Sequence, residues 1–179
     1  MKASAKPNQS ITCIFLDIGG VLLSNGWDHL ARKRAAKLHQ KRPFTRAQFR
    51  SFMFAQSKPY PEMIELFARL KTRYGLKIAV VSNEAREVNA YRIHKFKLVA
   101  FVDAFISSCF VHIRKPDADI FRLALDVAQV PARQVVYIEN TPMFVEIAEG
   151  LGIRSILHTD YKSTCAKLVS FGFEHEGHS

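Results

Sequence analysis

The chain has 179 residues, 48% of them hydrophobic, with a formal net charge of +10. That length can bury one proper core and gives no reason for two large domains. Three cysteines (Cys13, Cys109 and Cys165) without CxxC or His-spaced ligands argue against a disulfide framework or zinc site, and no apolar run is long enough to span a bilayer.

The polar residues 1–10 read as a flexible leader without the apolar core of a signal peptide. Residues 11–16 form an apolar run that stops at Asp17, Gly19 and Gly20, the pattern of a central strand entering a tight loop. Two helices, over about 27–39 and 45–55, form a small insert spanning roughly 25–58. It concentrates basic residues, among them Arg32, Lys33, Arg34, Lys37, Arg46 and Arg50. A solvated helical face is the favoured reading of that charge, ahead of a basic rim for a phosphorylated substrate. Trp27 reads as insert core sooner than as a cover for the site.

Residues 60–74 are helical, with Pro61 suited to the first turn and Gly75 to the stop, and lead into a buried strand over 76–81. Beyond it come a helix over 84–96, a strand over 104–107, a helix over 117–127, a strand over 135–138, a helix over 142–150 and a last strand over 155–157. One domain over 11–170 and a polar tail over 171–179 complete the expected organisation. Repeated β-α units with uninterrupted apolar strands predict an α/β fold, a mostly parallel sheet with helices on both faces.

In such sheets ligands bind at the carboxyl ends of the strands, where the strand order reverses. Asp17, Ser82 with Asn83, and Glu139 with Asn140 stand at those ends. A set of carboxylates, a hydroxyl and amides suits phosphate with a divalent cation. His29, His39, His94, His112 and His158 show no metal or triad spacing and read as surface or structural.

Four segments in order, IFLDIGGVLL (14–23), VVSN (80–83), IRKPDADIF (113–121) and YIENTPMFVEIAEGLGIRSIL (137–157), resemble the four motifs of the haloacid dehalogenase superfamily. The phrasing around Lys115 and Arg154 is most similar to a branch with sugar-phosphate phosphatases and domains akin to the epoxide hydrolase amino-terminal domain. The resemblance implies a three-layer Rossmann-like fold and a Mg²⁺-dependent phosphatase of a small phosphorylated metabolite. Asp17 would be the nucleophile forming an aspartyl-phosphate, with Ser82 and Lys115 as its catalytic companions. Ser82, Asn83, Lys115 and Gly20 would hold phosphate, and Asp17, the Gly19 carbonyl, Glu139 and Asn140 would hold Mg²⁺.

The sequence departs from the family pattern in three places. Gly19 stands where an acid usually protonates the leaving group, a loss typically worth about 10²- to 10⁴-fold. Neutral Asn140 replaces the second acid of the fourth motif and predicts weaker metal binding. The short insert predicts an open crevice, which would suit a large partner or closure by a homodimer. The alternative reading is a catalytically impaired binding or oligomerisation protein that keeps the fold. A nucleic-acid partner rests on charge alone and is disfavoured, as is a membrane partner, and a reducing cytoplasm fits best.

Overall fold

The computed structural model describes residues 10–26 and 29–174. The leader up to residue 9, Trp27 and the end of the tail (175–179) lie outside the described residues. Five strands, β1 (Cys13–Leu16), β2 (Lys77–Ser82), β3 (Ala104–Ser107), β4 (Val135–Glu139) and β5 (Arg154–Leu157), form one sheet in the order β3-β2-β1-β4-β5. Every pairing is parallel.

Successive side chains of a strand point to opposite faces, and both faces here are covered. On one face Ile14, Leu16, Ile78, Val80 and Ile138 pack with α3 (Pro61–Tyr74) through Leu66, Phe67 and Leu70 and with α8 (Tyr161–Ser170) through Cys165 and Leu168. On the other, Phe15, Val81 and Tyr137 pack with α6 (Asp119–Ala128) through Ile120, Phe121 and Ala124 and with α7 (Pro142–Gly150) through Ala148. This is the three-layer architecture expected from the uninterrupted apolar strands.

The insert carries α1 (His29–Lys41) and α2 (Arg46–Ala55). A full capping box starts α2, with Thr45 accepting from the Gln48 amide and Gln48 from the Thr45 amide. The two ends of the insert are stitched together: the Ser24 amide donates to Lys58 O (2.8 Å), the Tyr60 amide to Leu22 O (2.9 Å) and Ser24 Oγ to Gln56 O (2.7 Å). Helix α2 leans on α4 (Arg86–Lys95), where Phe54 stacks on Tyr91 at 4.1 Å and Arg46 pairs with Glu87 at 2.9 Å.

Some elements differ from the sequence reading. The helix α8 and the short α5 (Ser108–Val111) were not expected; α8 is started by Asp160, which accepts from the Ser163 amide at 2.8 Å. Helix α4 starts two residues later than the expected 84, because Glu84 turns into the crevice below. The expected polar tail is docked over its first part, with Phe173 buried against Tyr74 and the Glu174 amide donating to Tyr74 Oη. No helix among the described residues is long and apolar enough to cross a membrane.

Candidate active site

The chain reverses direction across the sheet between β1 and β4, so the crevice at their carboxyl ends is the place where ligands are expected. Asp17 follows β1 directly, its amide donating to Ile138 O on β4 at 3.1 Å. Its carboxylate accepts from Lys115 Nζ at 2.9 Å, and Ser82, whose hydroxyl donates to Glu84 Oε1 at 3.4 Å, stands beside it in the crevice. Lys115 comes from the loop before α6 and is almost fully buried, reaching Glu139 Oε2 at 2.6 Å and Tyr137 Oη at 3.0 Å. Its ammonium also lies 4.8 Å from the centre of the Phe144 ring.

The electrostatics follow from this burial. Desolvation pushes the Asp17 carboxyl above its ordinary range, with Lys115 opposing and Glu139 reinforcing the effect. For Lys115 desolvation acts downward but loses to the carboxylates of Asp17 and Glu139, which hold the ammonium above its usual value. The cation therefore stays charged between two acids.

Two residues named from sequence depart from their expected tasks. Glu139 was expected to ligate a metal, yet it is fully buried and both its oxygens are taken: Oε2 by Lys115 and Tyr137, and Oε1 by the amides of Asn140 and Thr141, each at 2.9 Å. A carboxylate offers about four lone-pair sites, so Glu139 anchors Lys115 and the start of α7 and has nothing left for an ion. Asn83 was expected to touch phosphate, but its side chain spans the backbone of Lys115, donating to the carbonyl at 2.8 Å and accepting from the amide at 2.9 Å. It fixes the lysine loop.

Gly20 was likewise expected at the phosphate, but its amide donates to Leu23 O at 2.6 Å. Its role is space. With φ of +90°, a Cβ there would fall 2.7 Å from Asn140 Cγ and nearer still to its amide nitrogen. Only a glycine lets the Asn140 side chain lie over the Asp17 loop.

That arrangement bears on a divalent cation. Among the described residues no group of three or more His, Cys, Asp or Glu side chains is placed to hold one. Mg²⁺ does not need such a group, since it binds through one or two carboxylates and keeps several waters. Asp17 and Gly19 from the loop after β1 and Asn140 from the loop after β4 line the same crevice, and a carboxylate, a backbone carbonyl and an amide oxygen are donor types that suit the ion, with a single negative charge among them.

Sequence reasoning missed Glu84 and Arg92. The side chains of both are almost fully buried, and Arg92 donates to Glu84 Oε1 at 2.8 Å, Ser57 Oγ at 3.0 Å, Ser24 O at 3.3 Å and Asn25 O at 3.4 Å. The guanidinium thus ties both ends of the insert to the loop after Ser82. Burial pushes the Glu84 carboxyl up to about 7 against the pull of Arg92. On a helix surface these residues read as ordinary solvated charges, and no local pattern marks partners so distant in sequence. Of the histidines named from sequence, His158 is buried and structural, with Nδ1 2.7 Å from Thr164 Oγ1, while His39, His94 and His112 are exposed and the side chain of His29 lies outside the described residues.

Residues 26–152 match the haloacid dehalogenase-like hydrolase family. The chain belongs to that family. A putative pyrophosphatase, PpaX, from Caldanaerobacter subterraneus subsp. tengcongensis is 28% identical over 92 residues, covering 51% of this chain and 41% of that protein. A predicted haloacid dehalogenase-like hydrolase from Porphyromonas gingivalis superposes with a TM-score of 0.72 at 17% identity, over 92% of this chain and 99% of that one. A haloacid dehalogenase-family enzyme from Bacteroides thetaiotaomicron, solved with magnesium and inorganic phosphate, gives a TM-score of 0.67 at 15% identity over 82% and 93% of the two chains. At these identities the structural likenesses carry the fold. This haloacid dehalogenase-like hydrolase therefore places Asp17, Ser82 and Lys115 together in its crevice on the geometry of its own side chains.

Proposed function

We propose that the protein is a phosphatase acting on phosphate monoesters through an aspartyl-phosphate on Asp17. The observation that carries this reading is the buried Lys115 ammonium, 2.9 Å from Asp17 and 2.6 Å from Glu139. A cation this dry beside a strand-end carboxylate suits a site where a dianion must approach an anion. Asp17 attacks phosphorus while Ser82 and Lys115 hold phosphoryl oxygens, and Glu139 and Asn83 fix Lys115 through its head and its backbone. Water then cleaves the aspartyl-phosphate and returns the carboxylate. Asp17, the Gly19 carbonyl and Asn140 would hold Mg²⁺, which when bound offsets the charge of nucleophile and phosphate.

Gly19 supplies no proton, and Glu84, the other acid among the described residues lining the crevice, is engaged by Arg92. Leaving-group protonation therefore falls to water. The single carboxylate in the oxygen set favours the rival reading, a catalytically impaired member kept for binding. Hydrolysis of an aryl phosphate with and without Mg²⁺, in wild type and Asp17→Asn, separates the two. Turnover that depends on Mg²⁺ and vanishes in the variant supports the phosphatase; turnover that survives Asp17→Asn, or none at any Mg²⁺ concentration, rejects it.

A further inference from the structure

The crevice has a volume of about 440 Å³, within the range of small-molecule sites. Its floor is polar and belongs to the strand ends already described. Its wall is different. Phe49 and Met53 of α2, Val88 of α4 and Phe144 of α7 face the space above Asp17.

The charged groups that share the wall are already used. Every edge of the Arg92 guanidinium is engaged by Glu84, Ser57, Ser24 or Asn25, and Glu84 in turn is held by Arg92 and Ser82. Asn25 and Thr141 are the polar side chains left at that level. A second anionic group on the substrate would meet no unpaired cation among the described residues lining the wall. Several hydroxyls would lose water and find few partners, which costs free energy for each one left unmade.

The apolar wall is also held in place. Phe54 is stacked on Tyr91 at 4.1 Å, and Phe44 packs on Phe49 and Phe52 at 6.3 and 5.9 Å. Phe49 nevertheless keeps 40% of its surface exposed. A flat apolar group placed against Phe49, Met53 and Phe144 would pack on apolar side chains that line the crevice and are not fully buried.

We propose that the substrate of this site is an aryl-type phosphate monoester, its ring against Phe49, Met53 and Phe144 and its phosphate on the Asp17 floor. This rests on the phosphatase reading. The missing acid at Gly19 supports it independently of the wall. An Asp17 oxygen forms the new bond to phosphorus while the bond from phosphorus to the aryl oxygen breaks, its electron pair leaving on that oxygen. A phenol ionises near 10, as tyrosine does, far more readily than the alcohol of an alkyl phosphate, so an aryl oxygen leaves as the anion without a donor and takes its proton from water afterwards. Water then attacks the aspartyl-phosphate, and phosphate leaves as Asp17 is restored. Both peculiarities of the crevice, an apolar wall and a glycine in place of the usual acid with Glu84 tied to Arg92, suit the same leaving group.

The test separates binding from intrinsic reactivity. Benzylphosphonate and methylphosphonate, which cannot be hydrolysed, are titrated calorimetrically into the full chain with Mg²⁺, in wild type, Phe49→Ser and Met53→Ser. Benzylphosphonate is expected to bind roughly tenfold or more tightly than methylphosphonate, and each variant to narrow that ratio. Phe49 is on the surface, and circular dichroism checks that the variants fold. Equal affinities, or a ratio unmoved by both variants, overturn the aryl assignment and leave the phosphate floor standing. Binding of neither phosphonate, together with no hydrolysis of phenyl, glycerol or glucose phosphates, overturns the phosphatase reading and this assignment with it.

Discussion

Replacing Lys115 by methionine tests the centre of the site directly. Methionine has a similar length and keeps the packing against Phe144 and Tyr137, so the change removes charge more than volume. Asp17 and Glu139 would then face each other across the vacated ammonium, with side-chain exposures of 9% and 0%. Removing one partner of a buried ion pair costs about 3–5 kcal/mol, against a total stability of about 5–15 kcal/mol, so the variant folds but is weakened. With a urea dependence of about 2 kcal/mol per molar, the midpoint falls by about 2 M. Without the lysine one carboxyl retains a proton in the folded state to a pH above its unfolded value of about 4, so the folded variant binds more protons than the unfolded chain and its stability falls as pH rises. Lys115 itself, with its folded pKa raised, contributes stability that is fully present below about 10 and adds no slope to wild type near neutrality. Asp17, already raised in wild type, gives wild type a slope of the same sign, and losing the opposing pull of Lys115 steepens it, so the deficit of the variant grows between pH 5 and pH 8 and adding Asp17→Asn recovers part of it. A loss under about 1 kcal/mol, or one that does not change with pH, refutes the reasoning.

Gly20→Ala puts a methyl into the Asn140 side chain at φ +90°, while Gly172→Ala has a similar φ of +92° and nothing within 4 Å. Both are expected to lose about 1–3 kcal/mol in urea unfolding, and only the first to lose Mg²⁺ affinity and turnover. Asn140→Asp adds a second charge to the oxygen set and is expected to tighten Mg²⁺ roughly tenfold or more by calorimetry. Glu84 retains its proton in the folded state up to about 7 and gives it up near 4.5 when unfolded, so its contribution to stability declines by about 3 kcal/mol as pH rises through that window. Urea unfolding of Glu84→Gln at pH 5 and pH 8 should show a shallower decline than wild type; equal slopes contradict the assignment.

The strands and the convergence of Asp17, Ser82 and Glu139 were legible because apolar runs and strand-end polar residues are local signals, whereas Lys115, in the loop before α6, was marked only by its resemblance to the third family motif. The tasks of those residues were less so. Glu139 has the side chain of a metal ligand, and only the turn that aims the Asn140 and Thr141 amides at it shows that its oxygens are spent. Asn83 shares this fate, since its partner is the backbone of a residue 32 positions away. Helix α8 escaped notice because its Ser, Thr and Cys residues are middling helix formers and its start depends on Asp160. The insert was expected to leave the crevice open. The stack of Phe54 on Tyr91 brings α2 close enough for Phe49 and Met53 to form its wall.

The antiparallel contact of Leu23 with Pro59 has a consequence for how such a protein can change. Because the chain leaves the central fold and returns at one point, whatever lies between behaves as a cassette. Its length alters loop entropy only slowly and places no strain on the sheet. Exchanging residues 27–55 for another segment would leave Asp17, Lys115 and Glu139 in register while replacing Phe49 and Met53. Selectivity could thus be rewritten at one splice, with the chemistry left untouched.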